Sequence, residues 1–330
     1  MRAVFLDFGT VSNGDLDTAP LERVVPGLVI HQQTSTAQVA ERVAGFTVVF
    51  ANKAIIDRAT ISANPQLKMI ALTATGVDNL DIGAARESGI AVCNLHDYCT
   101  QSVVQHVFAM LLALTHRLHD YDSLVRAGGW QQAGQFSTFP FAIRELRGRV
   151  FGIVGHGTLG RAVGRTAAAF GMQVEIANRP GGPRLDGRVD LDELLPRADV
   201  LSLHCPLTDA TRGLIGAARL ARMKPDAVLI NTARGRLVDA AALAGALKAG
   251  QLGGAGIDVL EREPPLPGHP LLDPYIPNLI LTPHIAWAAR EARQRCLDEL
   301  ALNVVDFLAG RRRNRVCSRA DLRTPAAPPD

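Results

Sequence analysis

Short apolar runs separated by amphipathic stretches recur along most of the chain. VFLD (4–7), LVI (28–30), TVVFAN (47–52), MIALTAT (69–75) and IAVCNL (90–95) are strand candidates. Several are apolar without alternation, as strands buried on both faces of a parallel sheet are. Between them, STAQVAERVAG carries helix signals, with Ser35 or Thr36 to cap its start and Gly45 beyond its end. One α/β unit is expected over this first third. A long helical stretch is expected over 102–126, stopping at Gly128 and Gly129. After the Phe-rich segment FSTFPF a second series begins: RVFGIVG, VEIA, VLSLHC, AVLINTA, GAGIDV and NLILT, each followed by a helical segment or turn. That alternation is the βα pattern of a doubly wound sheet. A final helix is expected over 291–309.

Length turns these two series into two domains, because 330 residues exceed what one compact core organises. The expected division is 1–98 with 287–330 as one discontinuous domain and 99–286 as the other, the final helix returning to the first. The expected fold is therefore α/β, two Rossmann-like or flavodoxin-like doubly wound parallel sheets with a cleft between them. Composition adds little: 47% hydrophobic and 20% charged residues are ordinary for a folded protein. The start, MRAVFLDFG, has no apolar signal region, and VFAMLLAL (107–114) is far short of the roughly 20 residues that span a bilayer. Five cysteines without a CxxC pair read as reduced thiols, so a cytoplasmic protein is expected. The net charge of +3 comes mostly from Arg311, Arg312, Arg313, Arg315, Arg319 and Arg323 ahead of TPAAPPD. Without interleaved aromatics this is a solvated tail, not a nucleic-acid or membrane site.

The first chemical signal is GHGTLG (155–160), directly after the strand VFGIV and before a helix. In the G-x-G-x-x-G spacing, Gly155 permits the tight turn, Gly157 lets backbone approach a pyrophosphate, and Gly160 lets helix and strand close up. The helix N-terminus adds unpaired N–H groups and a positive dipole end. A dinucleotide site is expected, but the ribose-binding acid is missing. Asn178 stands 18 residues after Gly160, with Arg179 beside it, and the nearby Glu175 lies within the strand. A neutral Asn with an adjacent Arg suits a 2′-phosphate, so NADP(H) is favoured. In the other reading Arg179 points to solvent and Asn178 bonds the 2′-hydroxyl of NAD(H).

Three further stretches fall where second-series strands should end: NTARGRLVD (231–239), IDVLEREPP (257–265) and TPHIAWAA (282–289). They offer Arg234, Glu263 and His284, in that order. With NPQLKMIALTATGVDNLD (64–81), GHGTLG and HCPLT (204–208), the chain resembles the D-2-hydroxyacid dehydrogenase family, in its glycerate dehydrogenase or hydroxypyruvate reductase branch. The resemblance implies that Arg234 binds the substrate carboxylate and carbonyl, that Glu263 holds His284, and that His284 passes the proton. The chemistry agrees: a hydride given to a 2-keto acid leaves an alkoxide, which needs an acid near neutral pH and a cation for the carboxylate. A carboxylate beside His favours the imidazolium. Glu261, the competing acid, reads as a solvated loop carboxylate.

The resemblance also implies substrate N–H groups from Ala74, Thr75, Gly76 and Val77, with Asp78 as a turn residue. It places His156, Thr158, Leu159, Thr100, His204, Cys205, Pro206, Thr211, Thr232, Ala233 and Asp258 with the glycines, Asn178, Arg179, Arg234 and His284 along the cofactor site. His204 and Cys205 are a weak metal pair, so no metal is expected. Trp287 departs from the family's usual small residue. Either it narrows the active site toward small substrates, or it is a hinge or interface residue. The expected activity is reduction of hydroxypyruvate and glyoxylate to D-glycerate and glycolate. Another small 2-hydroxy acid such as D-lactate, or a dinucleotide-sensing corepressor on the same fold, is the alternative. A homodimer is implied, built from about 102–146.

Overall fold

The computed structural model describes residues 1–317. The Arg319 and Arg323 portion of the solvated-tail reading lies outside the described residues. The chain divides into two compact units, one holding Met1–Cys99 and the chain from Ala288 onward, the other Thr100–Trp287.

In the first unit the strands are β1 (Ala3–Phe5), β2 (Val29–Ile30), β3 (Val48–Ala51), β4 (Met69–Leu72) and β5 (Ala91–Cys93). The helices between them are α1 (Ala19–Val24), α2 (Val39–Val43), α3 (Arg58–Ser62) and α4 (Ile82–Glu87). Every residue of β1, β3, β4 and β5 is buried, which accounts for their unbroken apolar sequence. The parallel order is 2-1-3-4-5, a doubly wound sheet. Carboxylates start two of the helices, Asp57 accepting from the Thr60 N–H and Asp81 from the Ala84 N–H.

The second unit opens with α5 (Thr100–Thr115), α6 (Leu118–Arg126) and α7 (Gly129–Ala133). The single long helix expected over 102–126 is therefore two helices. Arg117 takes a left-handed conformation with φ of 53°, which no right-handed helix can pass through, and Asp120 and the ring of Phe141 hold its guanidinium. The expected stop holds: α6 ends at Arg126 and Gly128 follows with a φ of 78°. Gly129 then begins the separate helix α7, where a Cβ would lie 2.6 Å from the end of the Leu124 side chain. The sheet follows: β6 (Val150–Val154), β7 (Gln173–Ile176), β8 (Val200–Leu203), β9 (Val228–Asn231), β10 (Gly254–Ile257) and β11 (Leu279–Leu281), all parallel. Helices α8 (Thr158–Ala169), α9 (Leu191–Leu194), α10 (Ala217–Leu220) and α11 (Ala240–Lys248) connect them. The chain passes from β6 to β7 at one edge and returns to the other side of β6 with β8. The switch point, where such sheets bind ligands, lies between β6 and β8.

Beyond Trp287 the chain adds α12 (Arg290–Leu308) and β12 (Arg315–Cys317) to the first unit. Arg293 of α12 accounts for part of this return, donating to the Asp15 carboxylate at 2.8 and 2.6 Å and to the Val11 carbonyl. β12 pairs antiparallel with β5 and completes six strands. The basic segment expected to be tail thus contributes an edge strand at Arg315. Among the described residues no helix is long and apolar enough to cross a membrane.

Candidate active site

One line of register runs across the second sheet. Val154 pairs with Leu203, Leu203 with Asn231, Asn231 with Ile257 and Ile257 with Leu281. The residues that follow on those five strands are Gly155, His204, Thr232, Asp258 and Thr282, so five loops leave the carboxyl edge at one level. The motifs found separately in the sequence share this edge for that reason.

The glycine turn is shaped by two contacts and one opening. A Cβ on Gly155, whose φ is 97°, would stand 2.5 Å from the backbone of His204 and Cys205 across the switch point. One on Gly160 would stand 2.0 Å from the Gly155 carbonyl oxygen. Gly157 meets nothing within 4 Å and caps α8, where the first N–H groups of the helix point outward past Thr158 and Leu159. A turn closed at two glycines and open at the third fits a pyrophosphate. His156 sits half-buried in it, its pKa lowered by burial and by Arg188 and Arg161.

Three buried polar atoms near this edge have no protein partner: Thr100 Oγ1, His204 Nδ1 and Thr232 Oγ1. Buried groups of this kind are normally satisfied, so they also fit a polar ligand. His204 Nε2 bonds Ser202 Oγ at 2.9 Å, and burial pulls its pKa down to about 4. Cys205 is buried in the core with its thiol pushed up to about 11, a wall of the site and not a nucleophile. Thr211 spends its hydroxyl within the 206–211 turn, on the Pro206 carbonyl and the Thr208 N–H. Ala233 donates its N–H to the Asn231 side chain.

Asn178 is engaged at both ends of its amide: Nδ2 donates to Asp190 at 2.9 Å and Oδ1 accepts from the Leu185 N–H at 3.1 Å. Asp190 arrives because Val189 bridges to Ala177 beside β7, and Arg184 pairs with the same carboxylate. An acid does stand beside Asn178, twelve residues on in the chain, but its carboxylate is engaged by Asn178 and Arg184, a contact with no linear signature. Glu175 is occupied by Arg197 at 2.6 Å. Arg179 is exposed, its stem lying over Gly182.

At the other end of the register line, Glu263 Oε2 lies 2.6 Å from His284 Nδ1, while its Oε1 accepts from the Leu260 N–H at 2.9 Å. A carboxylate can only accept, so Nδ1 carries the hydrogen and Nε2 is left for substrate chemistry. Arg234 follows β9, its carbonyl tied to Asn231 Nδ2 at 2.9 Å. Gly235 brings this turn against the Glu263 loop: a Cβ there would lie 1.9 Å from the Leu260 carbonyl carbon. Glu261 is an exposed loop carboxylate, as expected, and it also receives His269 Nε2 at 2.9 Å, which ties down the same loop.

His284 has a φ of 57°, and its N–H donates to the Asp258 carbonyl at 2.8 Å. The Asp258 carboxylate, 1% exposed, accepts from Thr282 Oγ1 at 2.5 Å and from the N–H groups of Ile285 and Ala286 at 2.8 Å each. Asp258 therefore builds the loop that presents His284. Trp287 donates its indole N–H to the His284 carbonyl at 3.0 Å, bracing the loop from the far side. In the first unit the loop 74–77 is anchored by Leu95, whose N–H bonds the Ala74 carbonyl, and by Asn94, whose amide bonds the Thr75 carbonyl.

A parallel sheet with a dinucleotide turn at its switch point and an arginine, a carboxylate and an imidazole on the same edge defines a nicotinamide-dependent dehydrogenase. Residues 108–286 match the family model described as D-isomer specific 2-hydroxyacid dehydrogenase, NAD binding domain. Glycerate dehydrogenase of Methylorubrum extorquens is 44% identical over 84% of this chain and 88% of its own. Hydroxypyruvate reductase of Blautia hydrogenotrophica is 34% identical over 94% and 98%. A solved acyclic imino acid reductase in complex with NADPH and D-Arg superposes with a TM-score of 0.84 at 28% identity, covering 96% of this chain and 100% of that one. The chain belongs to the D-isomer specific 2-hydroxyacid dehydrogenases, NAD(P)-dependent oxidoreductases of 2-hydroxy acids.

Proposed function

We propose that the protein reduces hydroxypyruvate, and with it glyoxylate, to D-glycerate and glycolate, with NADPH the preferred reductant. The His284–Glu263 pair at 2.6 Å carries the reading, since it fixes which ring nitrogen handles the proton. The names of the two curated relatives support the substrate. When bound, the nicotinamide supplies the hydride. His284 Nε2 donates the proton to the oxygen that reduction leaves negative, and Glu263 holds the ring and balances the imidazolium charge. Arg234 grips the substrate carboxylate. Gly155, Gly157 and Gly160 with Thr158 and Leu159 hold the pyrophosphate, and Thr100, Thr232 and His204 bond the rest of the cofactor.

NADPH preference is supported by the neutral Asn178 and the exposed Arg179, with Asp190 already paired to Arg184. The test is kcat/KM for hydroxypyruvate with each reduced cofactor. A higher value with NADPH is expected, and no oxidation of either cofactor by any small 2-keto acid sinks the assignment. The protein is further proposed to be a cytoplasmic homodimer, a setting that suits its buried free thiols at Cys93, Cys205 and Cys296.

A further inference from the structure

Ser102, His106, Met110 and Leu114 recur every four residues on α5 and so form one stripe. At its far end the stripe rests on bare strand: a Cβ on Gly254 would lie 3.3 Å from Leu114, and one on Gly256 would lie 3.0 Å from Met110. The two glycines let α5 lie close over β10. At its near end the stripe turns polar and reaches the His284 loop. His106 Nε2 lies 3.0 Å from Thr282 Oγ1 and Ser102 Oγ donates to the Ala286 carbonyl at 2.7 Å. Thr282 has a single hydroxyl hydrogen, and at 2.5 Å the Asp258 carboxylate takes it. The Thr282 oxygen is therefore the acceptor toward α5, and His106 Nε2 must be the donor. His106 Nε2 also stands 3.6 Å from the Asp258 carboxylate.

We infer that Ser102 and His106 are positioning residues for the proton donor of the activity proposed above. They hold the two ends of the 282–286 loop, whose centre is His284 in a left-handed conformation that side chains rarely adopt. A conformation of that kind persists only where its surroundings impose it. Asp258 imposes it from inside the loop through four bonds to backbone and hydroxyl groups. The α5 pair imposes it from a helix anchored elsewhere on the sheet, so the height of the His284 ring over the carboxyl edge is set by α5.

The experiment compares wild type with the Ser102→Ala/His106→Leu double variant and with His106→Gln, whose amide N–H can replace the imidazole donor. Steady-state reduction of hydroxypyruvate, NADPH affinity by fluorescence titration, and the downfield Nδ1–H resonance of His284 in the cofactor-free protein are read together. The double variant is expected to lose about tenfold in kcat. Its NADPH Kd stays within about twofold, its Nδ1–H signal shifts or broadens, and His106→Gln recovers most of the loss. An unchanged kcat and resonance would falsify the inference, as would a loss of kcat accompanied by equal losses of cofactor affinity and thermal stability. The resonance reads the loop without substrate, so wild type that fails to turn over hydroxypyruvate while the signal still moves condemns the substrate and not the positioning role.

Discussion

Arg179 lies exposed on the turn that leaves β7, next to an asparagine whose amide is already tied to Asp190 and Leu185. Under the proposed NADPH preference, this guanidinium is the group that reads the 2′-phosphate. A hydrogen bond to a charged group contributes roughly 1.5–3 kcal/mol. Arg179→Ala is accordingly expected to lower the NADPH over NADH ratio of kcat/KM by about tenfold to a hundredfold. An unchanged ratio would show that this arginine does not read the phosphate. In the sequence, Asn178 in place of an acid and the adjacent Arg179 point to a 2′-phosphate. Asp190 is not legible there, because its approach depends on the Val189 to Ala177 bridge. The same holds for Glu261: its number gives no hint that His269 folds back onto it, whereas the pairing of Glu263 with His284 is expected from the family resemblance.

At the scale of the element, the glycine turn separates two demands that the G-x-G-x-x-G spacing conflates. A Cβ at 160 would collide with the Gly155 carbonyl, a backbone atom that cannot step aside, while a Cβ at 157 enters open space at an ordinary φ of −76°. Gly160→Ala should therefore cost several kcal/mol of stability, seen as a large drop in Tm. Gly157→Ala should melt like wild type yet bind NADPH at least about tenfold more weakly, because only the pyrophosphate meets the new methyl. Equal Tm losses in the two variants would refute this division of labour.

The β8 loop makes a second prediction. In the unfolded chain His204 titrates near 6.5, and in the fold burial holds it to about 4. Between those values the unfolded state binds more protons, so stability rises with pH. This contribution is complete above 6.5 and is lost as pH falls toward 4, amounting to about 3 kcal/mol. As pH is lowered from 7 to 4.5, urea midpoints should consequently fall more steeply for wild type than for His204→Gln, and parallel curves would rule the effect out. Most strand positions were legible because a strand buried on both faces is apolar throughout. The break at Arg117 and the edge strand β12 were not, since neither a left-handed residue stabilised by Asp120 nor a short basic strand has an apolar signature.

For the molecule as a whole, the segment from α6 to the start of β6 leaves Phe136 95% and Phe139 83% exposed, together with Leu118, Val125, Trp130 and Ile143. These exposed apolar side chains are the ones the proposed homodimer would cover. Light scattering should report a dimer, and Phe136→Asp/Phe139→Asp should shift it toward monomer. A wild type that scatters as a monomer at micromolar concentration would remove the homodimer from the proposal.

What the sequence determined by itself was periodic or motif-bound: two α/β series, the dinucleotide turn, and the residue types that proton transfer and carboxylate binding require. These are legible because burial on a parallel sheet, a tight turn and acid–base chemistry each restrict which residue can stand at a given place. What only the tertiary structure decided were the contacts between segments far apart in the chain. Examples are the single register line that levels five loops, Asp190 against Asn178, Gly235 beneath the Glu263 loop, and the α5 stripe on the His284 loop. A hydrogen bond or close approach of that kind depends on where strands and helices stop and on how near they lie. No spacing along the chain encodes that distance.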